Sequence, residues 1–262
     1  LWQEKDIIVD TDWEFERQAI RYAIYNLTIT VPRHDARMNI GARGLQGHGY
    51  NNHVFWDTEV YMLPHFIFTE PQAARKLLQY RYFGLAGARQ KAKDCGYTGA
   101  MYPWEAAWMT DVECCPAFAE TGRYEHHITG DVVQAIFYYT AATGDRTFLE
   151  KYGYEIIFST AKYWTSRVHY NEALDRYEIL DTIGPDENRE HIDNNAFTNY
   201  IAYLNLDYAV RCYDALAQQN PDRLNELLAR SEAQGMRAEF EKVRDKLYLP
   251  RENEDGIVPQ DD

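Results

Sequence analysis

Apolar residues recur along most of the chain at the spacing of helix faces, and polar residues fill the positions between them. This pattern predicts a helix from about residue 14 to the high twenties. Further helices are predicted over the segments 69–95, 126–143, 147–169 and 195–219, with two shorter ones before Pro250. The hydrophobic pattern therefore predicts an all-α protein.

Residues that favour the start or the end of a helix lie at several of these predicted boundaries. Thr11 and Glu14 have the spacing of a capping box, in which each side chain bonds a backbone amide at the start of a helix. Pro71 suits the first turn of a helix. Gly96 and Gly144 can adopt the left-handed conformation that closes a helix.

Two segments depart from the helical pattern. Residues 30–55 hold four glycines among polar side chains, which predicts a long ordered loop, and such loops usually carry function. Residues 177–180 alternate like a short strand. The segment from Ile201 to Leu216 is apolar on more than one face, which is typical of a helix in the inner ring of a helical toroid. We therefore expect one all-α domain, a barrel of helical hairpins with its site on the loop side.

Composition narrows the possible functions. The 262 residues carry a formal net charge of −14, which argues against a nucleic-acid partner because phosphate binding needs a basic surface. Aromatic residues make up 15% of the chain, and they serve either as core filler or as stacking platforms for a ring-shaped ligand. The four cysteines show no CxxC spacing, and no apolar run approaches the roughly 20 residues of a membrane span. A cytoplasmic location without a membrane partner is therefore expected.

Three loop clusters, at residues 55–59, 102–105 and 184–188, combine bulky or rigid side chains with carboxylates, and Asn195 follows the third. A sugar has apolar faces and a rim of hydroxyls, so its site needs an indole and carboxylate or amide groups. Cleavage of a glycosidic bond also needs a carboxylic acid that protonates the leaving oxygen. The alternative for each cluster is a core side chain beside a helix-capping carboxylate.

Longer motifs point to a family. Residues 40–59 are IGARGLQGHGYNNHVFWDTE, residues 80–82 are YRY, residues 99–106 are GAMYPWEA, and GPDE at 184–187 precedes DNNAFTN at 193–199. In order and spacing these motifs resemble the barrel signature of the maltose, kojibiose and trehalose phosphorylases, glycoside hydrolase family 65, over nearly the whole chain. The resemblance implies an (α/α)6 toroid of helical hairpins, of which residues 1–262 would be a partial catalytic domain with short β segments in its loops.

The resemblance also implies a reaction. Inorganic phosphate would attack the anomeric carbon of an α-linked glucoside with inversion and release β-glucose 1-phosphate. Phosphate is then a co-substrate, and neither a cofactor nor a metal is expected. Glu187 would be the general acid, and Trp56 and Asp57 would hold the glucose at the cleavage point. Trp104 and Glu105 would line the pocket.

Three further residues are candidates. His127 fits the family's Glu-X-His pattern as a substrate-binding residue, and the alternative is a histidine that satisfies a loop carbonyl. Asn195 is a candidate for the sugar's hydroxyl rim. The phosphate-binding residues are expected downstream of Asp262; within the chain Arg43 is a candidate, although it can equally brace the glycine loop. Residues 108–112 differ from the family's usual turn, which leaves the acceptor sugar open.

The resemblance implies a longer enzyme, with an N-terminal β-sandwich before Leu1 and the rest of the barrel after Asp262. We therefore expect this chain to be inactive alone and the full-length enzyme to be a homodimer. Two alternatives stay open. One is an inverting α-glucoside hydrolase of the same fold, which would carry a downstream Glu in place of the phosphate loop. The other is a non-catalytic, sugar-binding helical toroid.

Overall fold

The computed structural model describes residues 1–107 and 112–262, and helices form most of this part of the chain. The α-helices are α1 Trp2–Lys5, α2 Glu14–Thr30, α3 Leu63–Thr69, α4 Pro71–Phe83, α5 Leu85–Asp94, α6 Thr121–Tyr124, α7 Ile128–Thr143, α8 Arg146–Phe148, α9 Tyr154–Arg167, α10 Ala196–Gln219, α11 Pro221–Arg230 and α12 Arg237–Lys246. A 3₁₀ turn covers Gly49–Asn52, and π-helical turns cover Thr58–Met62 and Leu149–Gly153. The strands β1 His169–Asn171 and β2 Arg176–Glu178 form one antiparallel hairpin.

The long predicted helices are confirmed, and with them the all-α class. Helix α7 ends at Gly144, whose φ of 67° is the left-handed conformation expected of a closing glycine. Helix α10 starts after Asn195, whose side chain accepts a hydrogen bond from the Thr198 amide. Helices α11 and α12 are the two shorter ones expected before Pro250.

The capping box predicted at Thr11 and Glu14 is wrong. The cap position of α2 is Trp13, and Thr11 Oγ1 instead accepts from the Trp13 amide at 3.1 Å. The Glu14 side chain accepts from Gln18 Nε2 at 3.0 Å, one turn further along. Because α2 begins at Glu14, Thr11 lies too far upstream for its hydroxyl to serve as the helix cap.

Several other boundaries also differ from the sequence pattern. The predicted helix over 69–95 is two helices that meet at Gly84, and the one over 147–169 is interrupted by the second π-helical turn. Helix α3 was not predicted. The predicted strand is β2, whose Glu178 lies opposite His169 of the unpredicted β1.

The core lies where α7, α9 and α10 pack together, with α4 and α12 against them. Trp164 of α9 is completely buried, and its Nε1 donates to Asn205 Oδ1 of α10 at 3.0 Å. The prediction that α10 is buried on more than one face holds in part. Its residues toward α7 and α9 are buried, whereas Leu204 is 43% exposed.

Candidate active site

The first two aromatic and carboxylate clusters are joined by backbone hydrogen bonds. Val54 and Ala106 exchange both bonds of an antiparallel bridge, at 2.8 and 2.9 Å. The ring of Phe55 meets that of Trp104 edge-on, with 4.9 Å between centroids. The bridge therefore brings Trp56 and Asp57 into the same region as Trp104.

A glycine makes the second cluster's path possible. Gly99 has a φ of 78°, and a Cβ there would come within 2.4 Å of Ser159 O and Tyr163 N on α9. The next amide, that of Ala100, donates to the same Ser159 carbonyl at 2.9 Å. The segment that leads to Trp104 thus runs directly against the backbone of α9.

The third cluster lies beside the start of α7. The Ile183 amide donates to Tyr124 O at 3.0 Å, and Thr182 Oγ1 donates to the same carbonyl at 2.8 Å. Gly184 packs so closely on Asn195 that a Cβ would lie 2.4 Å from Asn195 Nδ2. These contacts place the turn that carries Glu187 next to the residues that follow Tyr124.

The surroundings of Glu187 favour its protonated form. Its side chain is exposed, yet the surrounding protein removes enough water to raise its pKa, and the neighbouring charge of Asp57 raises the pKa further. His127 acts in the opposite direction and lowers it. Burial raises the pKa of Asp57 itself, and the charge of Glu59 adds to this effect. Glu187 is therefore close enough to Asp57 and His127 for their charges to act on it.

Trp56 lies against the histidine of the Glu-X-His pattern. Its half-buried indole meets the His127 ring edge-on, with 4.7 Å between centroids and an interplanar angle of 76°. Phe197 and Tyr61 also pack against it, at 6.0 and 5.2 Å. The indole is therefore held from several sides.

His127 is clamped between two carboxylates. Its Nδ1 lies 2.7 Å from Asp131 Oδ2, and its Nε2 lies 2.8 Å from Glu125 Oε1. Burial alone would lower the pKa of His127, but the two carboxylates outweigh it and raise the pKa to about 9. Both ring nitrogens have carboxylate partners, so the loop-carbonyl alternative is wrong. His127 acts on the site through its charge and its contact with Trp56.

Glu125 is the functional candidate that the sequence reasoning missed. Its side chain is fully buried, and this burial raises its pKa to about 7, although hydrogen bonding to His127 opposes the shift. The negative charge of Glu187 raises the pKa of Glu125 as well, so the two carboxyl groups are neighbours. The Glu-X-His pattern includes Glu125, but the pattern alone predicts a role only for its histidine.

A buried ion pair supports this arrangement from behind. Arg81 has no exposed surface, and its Nε and Nη2 donate to the two oxygens of Glu59 at 2.8 and 2.9 Å. Arg81 Nη2 also donates to Phe55 O at 3.3 Å. The pair therefore fixes the backbone on both sides of Trp56 and Asp57.

Glu105 is more buried than a pocket residue needs to be. It is 5% exposed, and its Oε1 lies 2.7 Å from His53 Nδ1. Its amide donates to Glu113 Oε1 at 3.1 Å, while the Trp104 amide donates to Glu113 Oε2 at 2.9 Å. Lys91 pairs with Glu113 at 2.5 Å. Glu113, paired with Lys91, therefore holds the turn that carries Trp104.

The structure gives Asn195 and Arg43 supporting positions. Asn195 Oδ1 accepts from both the amide and the hydroxyl of Thr198, and its Nδ2 donates to Gln260 O at 3.1 Å. Asn195 therefore holds the start of α10 against the Gly184 turn. The exposed Arg43 lies over the Tyr50 ring at 5.9 Å, within the glycine loop. That contact corresponds to the bracing alternative.

The predicted departure of residues 108–112 from the family pattern falls mainly on 108–111, outside the described residues. In the part of the chain that the structure describes, the acidic, histidine and cysteine side chains form no group that could hold a metal ion. Among these same residues, no helix is both long enough and apolar enough to cross a bilayer.

Comparison with known proteins identifies the family. The profile of the glycosyl hydrolase family 65 central catalytic domain matches residues 21–262. The chain belongs to glycosyl hydrolase family 65. A protein of known structure, a putative kojibiose phosphorylase from the human microbiome, superposes with a TM-score of 0.88 at 25% identity over 99% of this chain and 34% of its own. The helical bundle is accordingly a portion of an (α/α)6 toroid.

Relatives with a named activity are similar over most or all of the chain. Kojibiose phosphorylase of Halothermothrix orenii is 46% identical over 100% of this chain and 35% of its own length. Alpha,alpha-trehalose phosphorylase of Thermoanaerobacter brockii is 37% identical over 100% of this chain and 34% of its own length. Kojibiose hydrolase of Flavobacterium johnsoniae is 44% identical over 82% of this chain and 31% of its own length. The chain thus spans about a third of the length of the curated relatives it matches.

Proposed function

We propose that the full-length protein containing this chain is a glycoside phosphorylase. It uses inorganic phosphate to cleave an α-linked glucose disaccharide or oligosaccharide with inversion, which releases β-glucose 1-phosphate and a free sugar. The observation that carries this proposal is Glu187, an exposed carboxyl whose pKa is raised by partial burial and by the charge of Asp57, the residue that follows Trp56. The similarity to kojibiose and trehalose phosphorylases supports it.

In the proposed reaction Glu187 donates its proton to the glycosidic oxygen while the bond from that oxygen to the anomeric carbon breaks. A phosphate oxygen forms the new bond on the opposite face of the glucose, and Glu187 is left ionised. Trp56 stacks on the apolar face of the glucose, and Asp57 accepts hydrogen bonds from its hydroxyls. Trp104 lines the pocket, and Asn195 keeps the Gly184 turn in place.

One acid is sufficient for this chemistry because phosphate is already a nucleophile. An inverting hydrolase needs a second carboxylate that activates water. Glu125 has no exposed surface and is bonded to His127, so it is poorly placed for that task. The phosphate-binding residues remain expected downstream of Asp262.

Hydrolysis is the second candidate, because a kojibiose hydrolase is 44% identical over most of the chain. The acceptor sugar, the homodimer, the cytoplasmic location and the inactivity of residues 1–262 alone stay predictions, as does the independence from any cofactor.

The deciding experiment incubates the full-length protein with kojibiose, trehalose or maltose, with and without inorganic phosphate. A phosphorylase releases glucose 1-phosphate only when phosphate is present. Release of glucose without phosphate would instead identify the hydrolase, and sugar binding without turnover the non-catalytic toroid.

Glu187→Gln tests the general acid in the same assay. Turnover should fall about 10²- to 10⁴-fold because the amide has no proton to donate, while sugar binding survives. Glu190→Gln, an exposed carboxylate three residues along, is the matched control and should keep its rate. A Glu187→Gln enzyme with its full rate would overturn the assignment.

A further inference from the structure

Two buried polar atoms of opposite hydrogen-bonding character lie unpaired beside the candidate active site. Trp104 Nε1, a donor, and Glu125 Oε2, an acceptor, are both shielded from solvent and lack a hydrogen-bond partner. The Trp104 side chain is nevertheless close enough to Glu125 to act on it as a weak hydrogen-bond donor, and this contact lowers the pKa of Glu125. A donor and an acceptor that are buried without partners are unfavourable, so a small movement that joins them is favoured.

The other oxygen of the same carboxyl is already engaged. Glu125 Oε1 lies 2.8 Å from His127 Nε2, and the His127 ring lies edge-on against Trp56. One carboxyl group thus faces both indoles of the site, Trp56 through the histidine and Trp104 directly. Glu125 is fully buried, so water does not compete for either oxygen.

We propose that Glu125 is a positioning residue that links the two indoles, with Oε1 holding His127 against Trp56 and Oε2 accepting from Trp104 Nε1 once a sugar occupies the site. The occupied state rests on the proposed function. A sugar that lies against both rings presses the Trp104 segment toward Glu125 and closes the remaining gap. The hydrogen bond then fixes the distance between the two platforms.

The groups around Glu125 determine how this link responds to pH. His127 and Glu187 act on it directly, Asp131 shares His127, and Asp57 neighbours Glu187. The charges of Glu59 and Arg81 act in turn on Asp131, Glu59 raising its pKa and Arg81 lowering it. Both oxygens of Glu125 accept hydrogen bonds only when the carboxyl is ionised, one from His127 and the other from Trp104. The link therefore weakens when Glu125 gains a proton.

A double-mutant cycle in the full-length enzyme tests the link, with kojibiose and inorganic phosphate as substrates. Trp104→Phe keeps an aromatic ring and removes the N–H, and should lower kcat/KM about tenfold. Glu125→Gln keeps the shape but has one acceptor oxygen for two donors, and should lower kcat/KM by about 10- to 100-fold. Because both variants break the same contact, the double variant should be within about twofold of Glu125→Gln. Effects that simply multiply would overturn the proposal.

A spectroscopic measurement tests the link independently of turnover. The fluorescence of the unmodified enzyme, saturated with kojibiose in the absence of phosphate, should change as Glu125 titrates, and the change should disappear in both Trp104→Phe and Glu125→Gln. Glu120→Gln, an exposed carboxylate that precedes α6 and pairs with His191, should retain it. A change that persists in Trp104→Phe would refute the contact.

These two measurements separate the inference from the proposed function. If the enzyme turns over but the cycle is multiplicative, the link is absent and the function stands. If the enzyme binds sugar without turnover, the titration still decides whether Trp104 and Glu125 are joined. If either Trp104→Phe or Glu125→Gln fails to fold, the fluorescence titration of the other variant alone still tests the contact.

Discussion

His127 and Asp131 lie one helical turn apart at the start of α7, with 2.7 Å between His127 Nδ1 and Asp131 Oδ2. Both side chains are buried, and Glu125 closes the opposite side of the imidazole ring. An imidazolium so placed is neutralised from both sides, and its charge is confined to the wall of the candidate site. This arrangement has consequences for stability.

The stability of the protein should fall as the pH rises through the titration of His127. The pKa of His127 is about 9 in the folded protein and about 6.5 when unfolded, so folding takes up a proton in this range. The stabilisation is therefore complete below about pH 6.5 and is lost as the pH rises through 9. Its total size is up to about 3 kcal/mol.

Urea denaturation at several pH values, followed by circular dichroism, checks this dependence. His127→Asn should change how the unfolding free energy falls between pH 6.5 and 9, because the imidazole no longer titrates and the pKa values of Glu125 and Asp131 lose its lowering influence. His34→Asn, at an exposed position, should leave it in place. An unchanged slope in His127→Asn would show that another group is responsible.

Breaking the Arg81 and Glu59 pair should strongly destabilise the fold. Both side chains are buried and joined by two hydrogen bonds, so Arg81→Met leaves a buried carboxylate without its charged partner. The expected loss of unfolding free energy is about 3–5 kcal/mol. Arg37→Met, which breaks an exposed pair with Asp35, should have no measurable effect in the same denaturation assay. Equal effects of the two substitutions would contradict the structure.

Gly99 and Gly96 form a matched pair of glycines for testing backbone approach. Both have positive φ values, 78° and 83°, but a Cβ at Gly99 would meet the α9 backbone at 2.4 Å, whereas nothing lies within 4 Å at Gly96. Gly96→Ala should cost about 1 kcal/mol from its conformation alone. Gly99→Ala should cost several times more, because α9 must also move. Similar melting temperatures for the two variants would show that the close approach is unimportant.

Local signals predicted the elements whose ends are set by nearby residues. Helix α7 stops at Gly144 because a left-handed glycine is a property of the chain itself, and the same holds for the Asn195 cap of α10. Helix α3 was missed because it follows a π-helical turn and has no polar capping residue of its own. Its start depends on burial of Leu63 and Phe66, which appears only in the folded protein.

The candidate site shows the same division. Trp56, Asp57 and Glu187 were predicted because their motifs are continuous in sequence. Glu125 was missed because its importance arises from contacts with residues of three separate segments, around Trp104, His127 and Glu187. A burial-driven pKa shift of that kind has no signature in a single stretch of sequence.

Removing the charge of Asp57 should shift the pH dependence of the full-length enzyme. Asp57 raises the pKa of Glu187, so Asp57→Asn should lower that pKa. A general acid must be protonated, and its activity is lost as the pH rises through its pKa. The basic limb of the kcat/KM profile should therefore move to lower pH, in addition to a loss of rate from weaker glucose binding.

The shift separates the electrostatic role of Asp57 from its binding role, because a lost hydrogen bond lowers the rate equally at every pH. Profiles of kcat/KM for the unmodified enzyme and Asp57→Asn, measured with kojibiose and phosphate, supply the comparison. Glu190→Gln removes one exposed carboxylate from the loop that carries Glu187. This control should leave the basic limb in place. A basic limb that stays fixed in Asp57→Asn would mean that Glu187 is not the group whose protonation controls the reaction.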